Sequence, residues 1–191
     1  MATLFVDKID PQSGTSLEIG SSGDTITVPT GATLTVPNGG LSGQNYPAFE
    51  ASLSSSFSEV SGANTKVPLD SITFDTNSCY DNTTNYRFTP TVSGKYYVYG
   101  ITTLYSGSTS RVEINRAEIH KNGTSILSAQ NDYRANNIRI SSSNVSGIID
   151  MNGTTDYIEL YNYAQSTAGT PQLLAQSTYK RTLCGAYRIG A

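Results

Sequence analysis

The 191-residue chain has no tryptophan, one histidine, two cysteines and two methionines, and only 14% of its residues are charged. Each scarcity excludes something. With His120 as the sole imidazole, any Ser-His-Asp or histidine-metal mechanism must run through that one side chain. It abuts a hairpin turn, where side chains ordinarily point to solvent, so it reads as inert. No CxxC pair, HExxH or phosphate-cradling glycine loop occurs, so the expectation is no enzyme, with no catalytic, cofactor-binding or metal residue assigned. Twelve Lys and Arg against fifteen Asp and Glu give a net charge of −3, and the cations form no stripe, which argues against a nucleic-acid partner. No apolar run is long enough to span a membrane, and membrane insertion is not expected. The opening MATLFVDKID lacks a basic and a long apolar region, so no secretion signal is expected. Cys79 and Cys184 then read as buried free thiols rather than a bridge.

What the chain does have is seventeen glycines, seven prolines and a heavy load of Ser, Thr and Asn between short apolar alternations. Helix-period runs are missing. This is the pattern of an all-β, antiparallel sandwich whose turns recur about every ten residues. The charge is uneven: residues 1–60 carry one base, Lys8, against six acids, whereas residues 61–191 carry eleven bases and nine acids. Residues 1–15 read as an extended arm with Leu4, Val6 and Ile9 on one side. From Ser16 the chain repeats itself, with TITVPTGA (25–32) and TLTVPNGG (33–40) in register at a period of eight and SLEIGSSGD (16–24) as a looser copy. Each unit is a short strand with two apolar positions followed by a glycine turn, too little to stand alone, so such units become stable by stacking. Residues 16–43 are therefore expected to be a stem and hinge in which three chains wind together, and 44–191 a head domain.

In the head, YPAFEASLS (46–54) suits a first strand and 55–66 a loop. Val67, Leu69, Ile72 and Phe74 lead into FDTNSCYDNTTNYRFTPTVSGKYYVYG (74–100), which holds five of the thirteen tyrosines. In RVEINRAEIH (111–120) the apolar phase switches between Val112/Ile114 and Ala117/Ile119, which suggests a bulge or a strand serving different neighbours at its two ends. Asn122-Gly123 is a hairpin signal. A strand ends near Ile148-Ile149, and Asn152-Gly153 turns into DYIELYNYA (156–164) ahead of the last strand, YKRTLCGAYRIG (179–190). Asp150, Asp156 and Glu159 read as solvated strand ends. Asp75, Asp81, Asn77 and Asn82 read as turn-formers rather than calcium ligands. Tyr96, Tyr97 and Tyr99 must point to opposite faces of their strand, and Tyr161 and Tyr163 share one face. Sequons begin at Asn82, Asn122, Asn144 and Asn152, as chance allows in this composition.

The block formed by Tyr80, Asp81, Phe88, Pro90, Gly94, Tyr96, Tyr97 and Tyr99 resembles the signature of the complement globular-head and tumour-necrosis-factor-like jelly roll. Asn85 stands where that family usually has glycine, a mild change because Asn tolerates the left-handed conformation. The resemblance runs from Tyr46 to Gly190, through Ala48–Leu53, the Lys121-Asn122-Gly123 hairpin, Asp156–Leu160 and Leu183, Cys184, Gly185 and Tyr187. It implies a ten-stranded jelly roll assembling as a homotrimer. The GDTITVPTGATL-type repeats are similar to those at the front of bacteriophage fibre and virion-surface proteins. Together the two resemblances imply a structural protein of the virion surface, made in the host cytoplasm: a capsid decoration or head-fibre protein, or else a short tail fibre or tail-tip receptor binder. Its partners would be two further copies of itself and a major capsid or other virion protein through residues 1–43, with a host surface glycan as a further candidate. A secreted complement-like ligand or lectin is the reading from another class.

Overall fold

The computed structural model describes residues 9, 13–14, 17, 19–34, 46–58, 61–107, 109–175 and 178–190. Contacts divide the chain into two units, Met1–Leu41 and Ser42–Ala191. Leu4, Val6 and the hinge at 38–43 lie outside the described residues.

In the first unit the period of eight reappears as turn geometry. Asp24 N–H donates to the Ser21 carbonyl and Ala32 N–H to the Pro29 carbonyl, both at 3.0 Å. Gly23 and Gly31 hold the third position of these turns with φ of 97° and 89°, a conformation that favours glycine. The expected strands are not formed within 19–34, because a strand needs a ladder partner and one copy of so short a repeat supplies none. Its aliphatic side chains stay in water: Ile26 and Leu34 are each 67% exposed, and Leu17, Ile19 and Val28 are exposed too.

Among its described residues the second unit has thirteen strand segments: β1 (Ala48–Ser52), β2 (Phe57–Ser58), β3 (Ala63–Lys66), β4 (Ser71–Asp75), β5 (Tyr80–Asp81), β6 (Arg87–Phe88), β7 (Gly94–Tyr105), β8 (Val112–Lys121), β9 (Thr124–Asp132), β10 (Ile140–Met151), β11 (Ile158–Ser166), β12 (Gln172–Leu173) and β13 (Leu183–Gly190). They form two antiparallel sheets. In the first, β7 is flanked on one edge by β10 and on the other by β13, then β1 and β4, with β12 and β2 continuing beside its far end. In the second, β11 pairs β8 and then β9 on one edge, and β3 and β6 with β5 on the other. Four segments are only two residues long, which is why thirteen appear where the resemblance implies ten. This is an all-β jelly-roll sandwich.

The signature block makes the centre of the core. Phe49 stacks on Tyr80 and on Phe88, each at 4.6 Å between ring centroids, and Phe88 meets Tyr96 edge-on at 5.9 Å. The two buried phenols satisfy their hydroxyls on backbone carbonyls, Tyr80 on Leu69 at 3.0 Å and Tyr96 on Val92 at 2.7 Å, as a dry interior requires. Burial pushes the Tyr96 hydroxyl up to about 12. Truncating a ring at this junction would cost about 3–5 kcal/mol.

Several local expectations meet the structure directly. Asn122 and Gly123 form the hairpin with φ of 52° and 80°. β8 does carry a bulge, but earlier than the expected switch: Ser166 faces Val112 and Gln165 faces Ile114, leaving Glu113 as the extra residue, so Val112 joins Ala117 and Ile119 in the core while Ile114 turns to the other face. Beyond it Asn115, Ala117 and Ile119 turn to the core. Other expectations are corrected. Residues 55–66 are not merely loop, since β2 and β3 pair with Gln172–Leu173 and Tyr161–Ala164. The left-handed residue before β6 is Tyr86, at φ 51°, rather than Asn85. Asp81 explains the shift. Its carboxylate accepts from the N–H groups of Thr83, Thr84 and Asn85 and from the Asn85 side chain, winding 83–85 into a tight turn whose exit falls one residue later.

Candidate interaction faces

Alternation along the paired strands gives the sandwich two outer faces of contrasting chemistry. On the first sheet, β7 turns Tyr96 and Val98 inward and Tyr97, Tyr99 and Ile101 outward. Register sets beside them Ile148 of β10, Tyr187 and Leu183 of β13, and Glu50 of β1, which faces Phe74 of β4. Tyr97 lies 5.6 Å from Tyr187 and 6.2 Å from Tyr99 between ring centroids. Several of these groups are open to solvent, with Ile148 61% exposed and Phe74, Tyr187 and Ile189 also exposed.

Polar groups border this apolar cluster, with Lys95 and Asp150 beside Tyr97 and Ile148 and with Ser142, Asn144 and Ser146 along β10, and one polar group lies within it. The Tyr99 ring lies across β13 at Gly185, where a Cβ would sit 2.3 Å from the phenol oxygen and 2.4 Å from Cζ. Only glycine leaves that path open. The hydroxyl thereby reaches Glu50 and donates to its Oε2 at 2.9 Å, while Lys180 Nζ donates to Oε1 at 2.5 Å and to Thr73 Oγ1 at 2.6 Å. Burial pushes the Glu50 carboxyl up, but the hydrogen bonds from Lys180 and Tyr99 outweigh it and hold the group below its ordinary value. Burial first, and Glu50 second, push the Tyr99 hydroxyl well above its own.

The outer face of the second sheet is polar and aromatic. Three rows cross it: Glu159 opposite His120, then Lys66–Tyr161–Glu118–Ser128, then Asn64–Tyr163–Arg116–Gln130. His120 is here, and it corrects the expectation of a solvent-pointing side chain. It is 8% exposed, stacked on Tyr161 at 3.9 Å between centroids, with Nε2 2.8 Å from Glu118 Oε2. Strand alternation places it over its neighbours instead of at the turn. Glu118 also accepts from Asn64 Nδ2 at 3.0 Å and from Arg116 Nε. Burial pushes its carboxyl up, yet the bonds from Asn64, His120, Ser125 and Arg116 prevail and hold it down at about 2.

The acidic trio is corrected as well. Glu159, 3% exposed, is buried under Lys66 at 2.7 Å and Arg87 at 3.0 Å. Asp156 is buried and bonded to Lys121 at 2.8 Å, Asn122 Nδ2 at 2.7 Å and the Asn152 N–H at 2.9 Å. Only Asp150 is a solvated end, paired with Lys95 at 2.6 Å. The three carboxylates do not converge.

The 75–85 loop behaves as turn chemistry predicts. Asp75 accepts from the N–H groups of Cys79 and Tyr80, both at 3.0 Å, and Asn82 Nδ2 donates to the Asp70 carbonyl at 2.9 Å. Backbone bonds from Thr84 and Thr83 lead in depressing the Asp81 carboxyl well below its usual range. A cleft of about 400 Å³ opens beside this loop, lined by Ser78, Cys79, Tyr80, Asp81, Asn85, Arg87 and Thr89. Cys79 and Cys184 are buried free thiols, and burial pushes the Cys184 thiol up to about 12.

Sequence reasoning missed Glu118, Arg116, Lys66, Arg87 and Asn64 on one face, and Glu50, Lys180 and Gly185 on the other. The alternation of β8 after Asn115 carried the signal for Arg116, Glu118 and His120. Nothing local announces Lys66, because its partner Glu159 is 93 positions away.

No protein-family profile matches the chain. No curated protein matches it either. Solved structures do. The chain superposes on the crystal structure of murine APRIL at pH 5.0 with a TM-score of 0.51 and 10% identity, covering 74% of this chain and 98% of that one. Eiger TNF from S. frugiperda gives 0.53 and 14%, covering 76% and 94%. The globular domain of zebrafish complement 1qA gives 0.51 and 14%, covering 75% and 97%. The jelly roll seen here is thus the fold shared by tumour-necrosis-factor-like proteins and complement globular heads.

Proposed function

We propose that the protein is a non-enzymatic structural component of a bacteriophage virion surface: a homotrimer anchored through residues 1–43, with residues 44–191 as its displayed jelly-roll head. The carrying observation is the contrast between the two outer faces. The first sheet leaves Ile148, Phe74, Tyr187 and Ile189 in water around Tyr97 and Tyr99, an apolar patch of the kind that marks an interaction surface. The second sheet instead covers its buried charges with long polar side chains. A second copy suits the apolar face, since the fold is that of proteins whose family resemblance implies trimers.

The repeat region supports the same assembly. Ile19, Ile26, Val28 and Leu34 recur between identical turns and have no apolar cover within 19–34. Three chains wound together would bury these pairs against each other and hold the heads in register, with the acidic arm (residues 1–15) left to dock on the particle. The resemblance of the repeat to the front of phage fibre and virion-surface proteins supports the viral setting, and residues 16–43 form too short a stem for a long fibre. A capsid decoration or head-fibre protein is the reading adopted.

Immunogold labelling of purified particles with an antibody against residues 46–191 tests it. Label spread over the head is expected. Label confined to the tail would replace the reading with a tail-tip receptor binder, and unlabelled particles would refute a virion protein.

A further inference from the structure

If self-association buries the first sheet, the second sheet is the broad face left to solvent, and its chemistry is specific. We propose that the outer face of the β3–β11–β8–β9 sheet is a docking surface for a polysaccharide chain; this rests on the assembly reading above, which leaves that face uncovered.

Tyr161 and Tyr163 occupy odd positions of β11 and so share the outer face, while Tyr157 lies just before that strand with its ring under Arg87, which also covers Glu159; the three span roughly 20 Å at ~3.4 Å per residue. Each ring is braced by a neighbouring side chain before any ligand arrives, Tyr161 by Lys66 as well, whose Nζ lies 5.9 Å from its centroid. The Arg87 guanidinium lies 3.9 Å from the Tyr157 centroid, His120 stacks on Tyr161 at 3.9 Å, and Arg116 lies 4.7 Å from Tyr163. Rings fixed in this way lose little freedom on binding. Their π surface suits the C–H faces of pyranose rings, and phenols offer an apolar body with a polar tip.

Amides and hydroxyls stand around the rings. Asn64, Ser128 and Gln130 are exposed in the same rows and can bond sugar hydroxyls. The carboxylates would not repel a chain, since Glu118 and Glu159 are already saturated by Arg116, His120, Lys66 and Arg87. Lys66, Arg87 and Arg116 against Glu118, Glu159 and Glu113, which accepts from Gln165 on the same face, leave it formally neutral, in a chain whose net charge is −3. That balance accepts neutral and acidic sugars alike. A protein partner fits less well. Among the described residues of these four strands the exposed large aliphatic side chain is Ile126 at the β9 edge, and Ile114, on the same face, is buried, whereas protein interfaces are anchored by several desolvated apolar groups.

The full chain would be run by affinity electrophoresis through gels containing dextran, galactomannan, alginate or a bacterial O-polysaccharide, with its mass followed by light scattering. Retardation by at least one of these is expected, and Tyr163→Ala and Gln130→Ala should each weaken it about tenfold without changing mass or the far-ultraviolet spectrum. A trimer retarded by none of the four, or retarded equally with both variants, overturns the proposal and leaves the assembly reading standing. A monomer whose retardation depends on Tyr163 overturns the assembly reading and leaves the sugar face standing.

Discussion

Replacing Gly185 with alanine tests the packing of the first sheet where it is least forgiving. In an ordinary strand the change would stabilise by roughly 0.5–1 kcal/mol, because alanine loses less conformational freedom than glycine. Gly185 is not in the left-handed region, so backbone strain does not oppose it. The obstacle is the Tyr99 ring, whose Oη, Cζ and Cε1 would lie 2.3, 2.4 and 2.9 Å from the new Cβ. The ring must swing off β13, and its hydrogen bond to Glu50 goes with it. Overpacking costs about 1–3 kcal/mol, and a hydrogen bond to a charged group about 1.5–3 kcal/mol, less where water replaces it. A net loss of about 2–4 kcal/mol would lower the thermal midpoint by roughly 5–15 °C for a domain of this size. The assay is thermal unfolding by circular dichroism at one fixed protein concentration. Tyr99→Ala removes the obstacle, so the same Gly185→Ala change made in that background should be neutral or stabilising. Equal effects in the two backgrounds would refute the account of why glycine is there.

Glu118→Gln should reduce stability at neutral pH and flatten its acid dependence. The folded carboxyl, at about 2, lies below its ordinary value of 4.5. Its contribution is therefore complete above pH 4.5 and fades as pH falls towards about 2, which urea titrations across that window would read. Changing Ile26 and Leu34 together to Asp should abolish trimerisation through the repeat by placing charge in the buried stack, while the head keeps its far-ultraviolet spectrum; an unchanged trimer midpoint would contradict a packed stem. Neither Cys79 nor Cys184 should react with a thiol reagent at pH 8 until the chain is unfolded, because both are buried and the Cys184 thiol is pushed up to about 12. Labelling of folded protein within minutes would contradict that burial.

Much of the head was legible because its chemistry is local. The Pro90–Gly94 turn, the alternation of Tyr96 to Tyr99 and the Asn122-Gly123 hairpin are each set by a few adjacent residues, and each is found where the sequence puts it. A bulge in β8 was legible too, as a slip in apolar phase between Ile114 and Ala117, although the register places it at Glu113. What stayed hidden depends on distant partners. β2 and β12 are two-residue strands that exist only because Phe57–Ser58 meets Gln172–Leu173, and their Ser- and Gln-bearing sequence carries no strand signal. His120 and Glu159 looked exposed for the same reason. Their positions on the face followed from strand alternation, but Lys66 and Arg87, which cover Glu159, come from β3 and β6. Gly185 was noted only as part of a pattern; its physical role needs the Tyr99 ring, 86 positions earlier.

The central claim is self-association into three, and the mass of the full chain in solution tests it most directly. Light scattering coupled to size exclusion at micromolar concentration should give three times 20.4 kDa, about 61 kDa, and the mass should persist on dilution. A single species at 20.4 kDa would mean that the apolar face of the first sheet and the aliphatic repeat stay in water, and the account would fail.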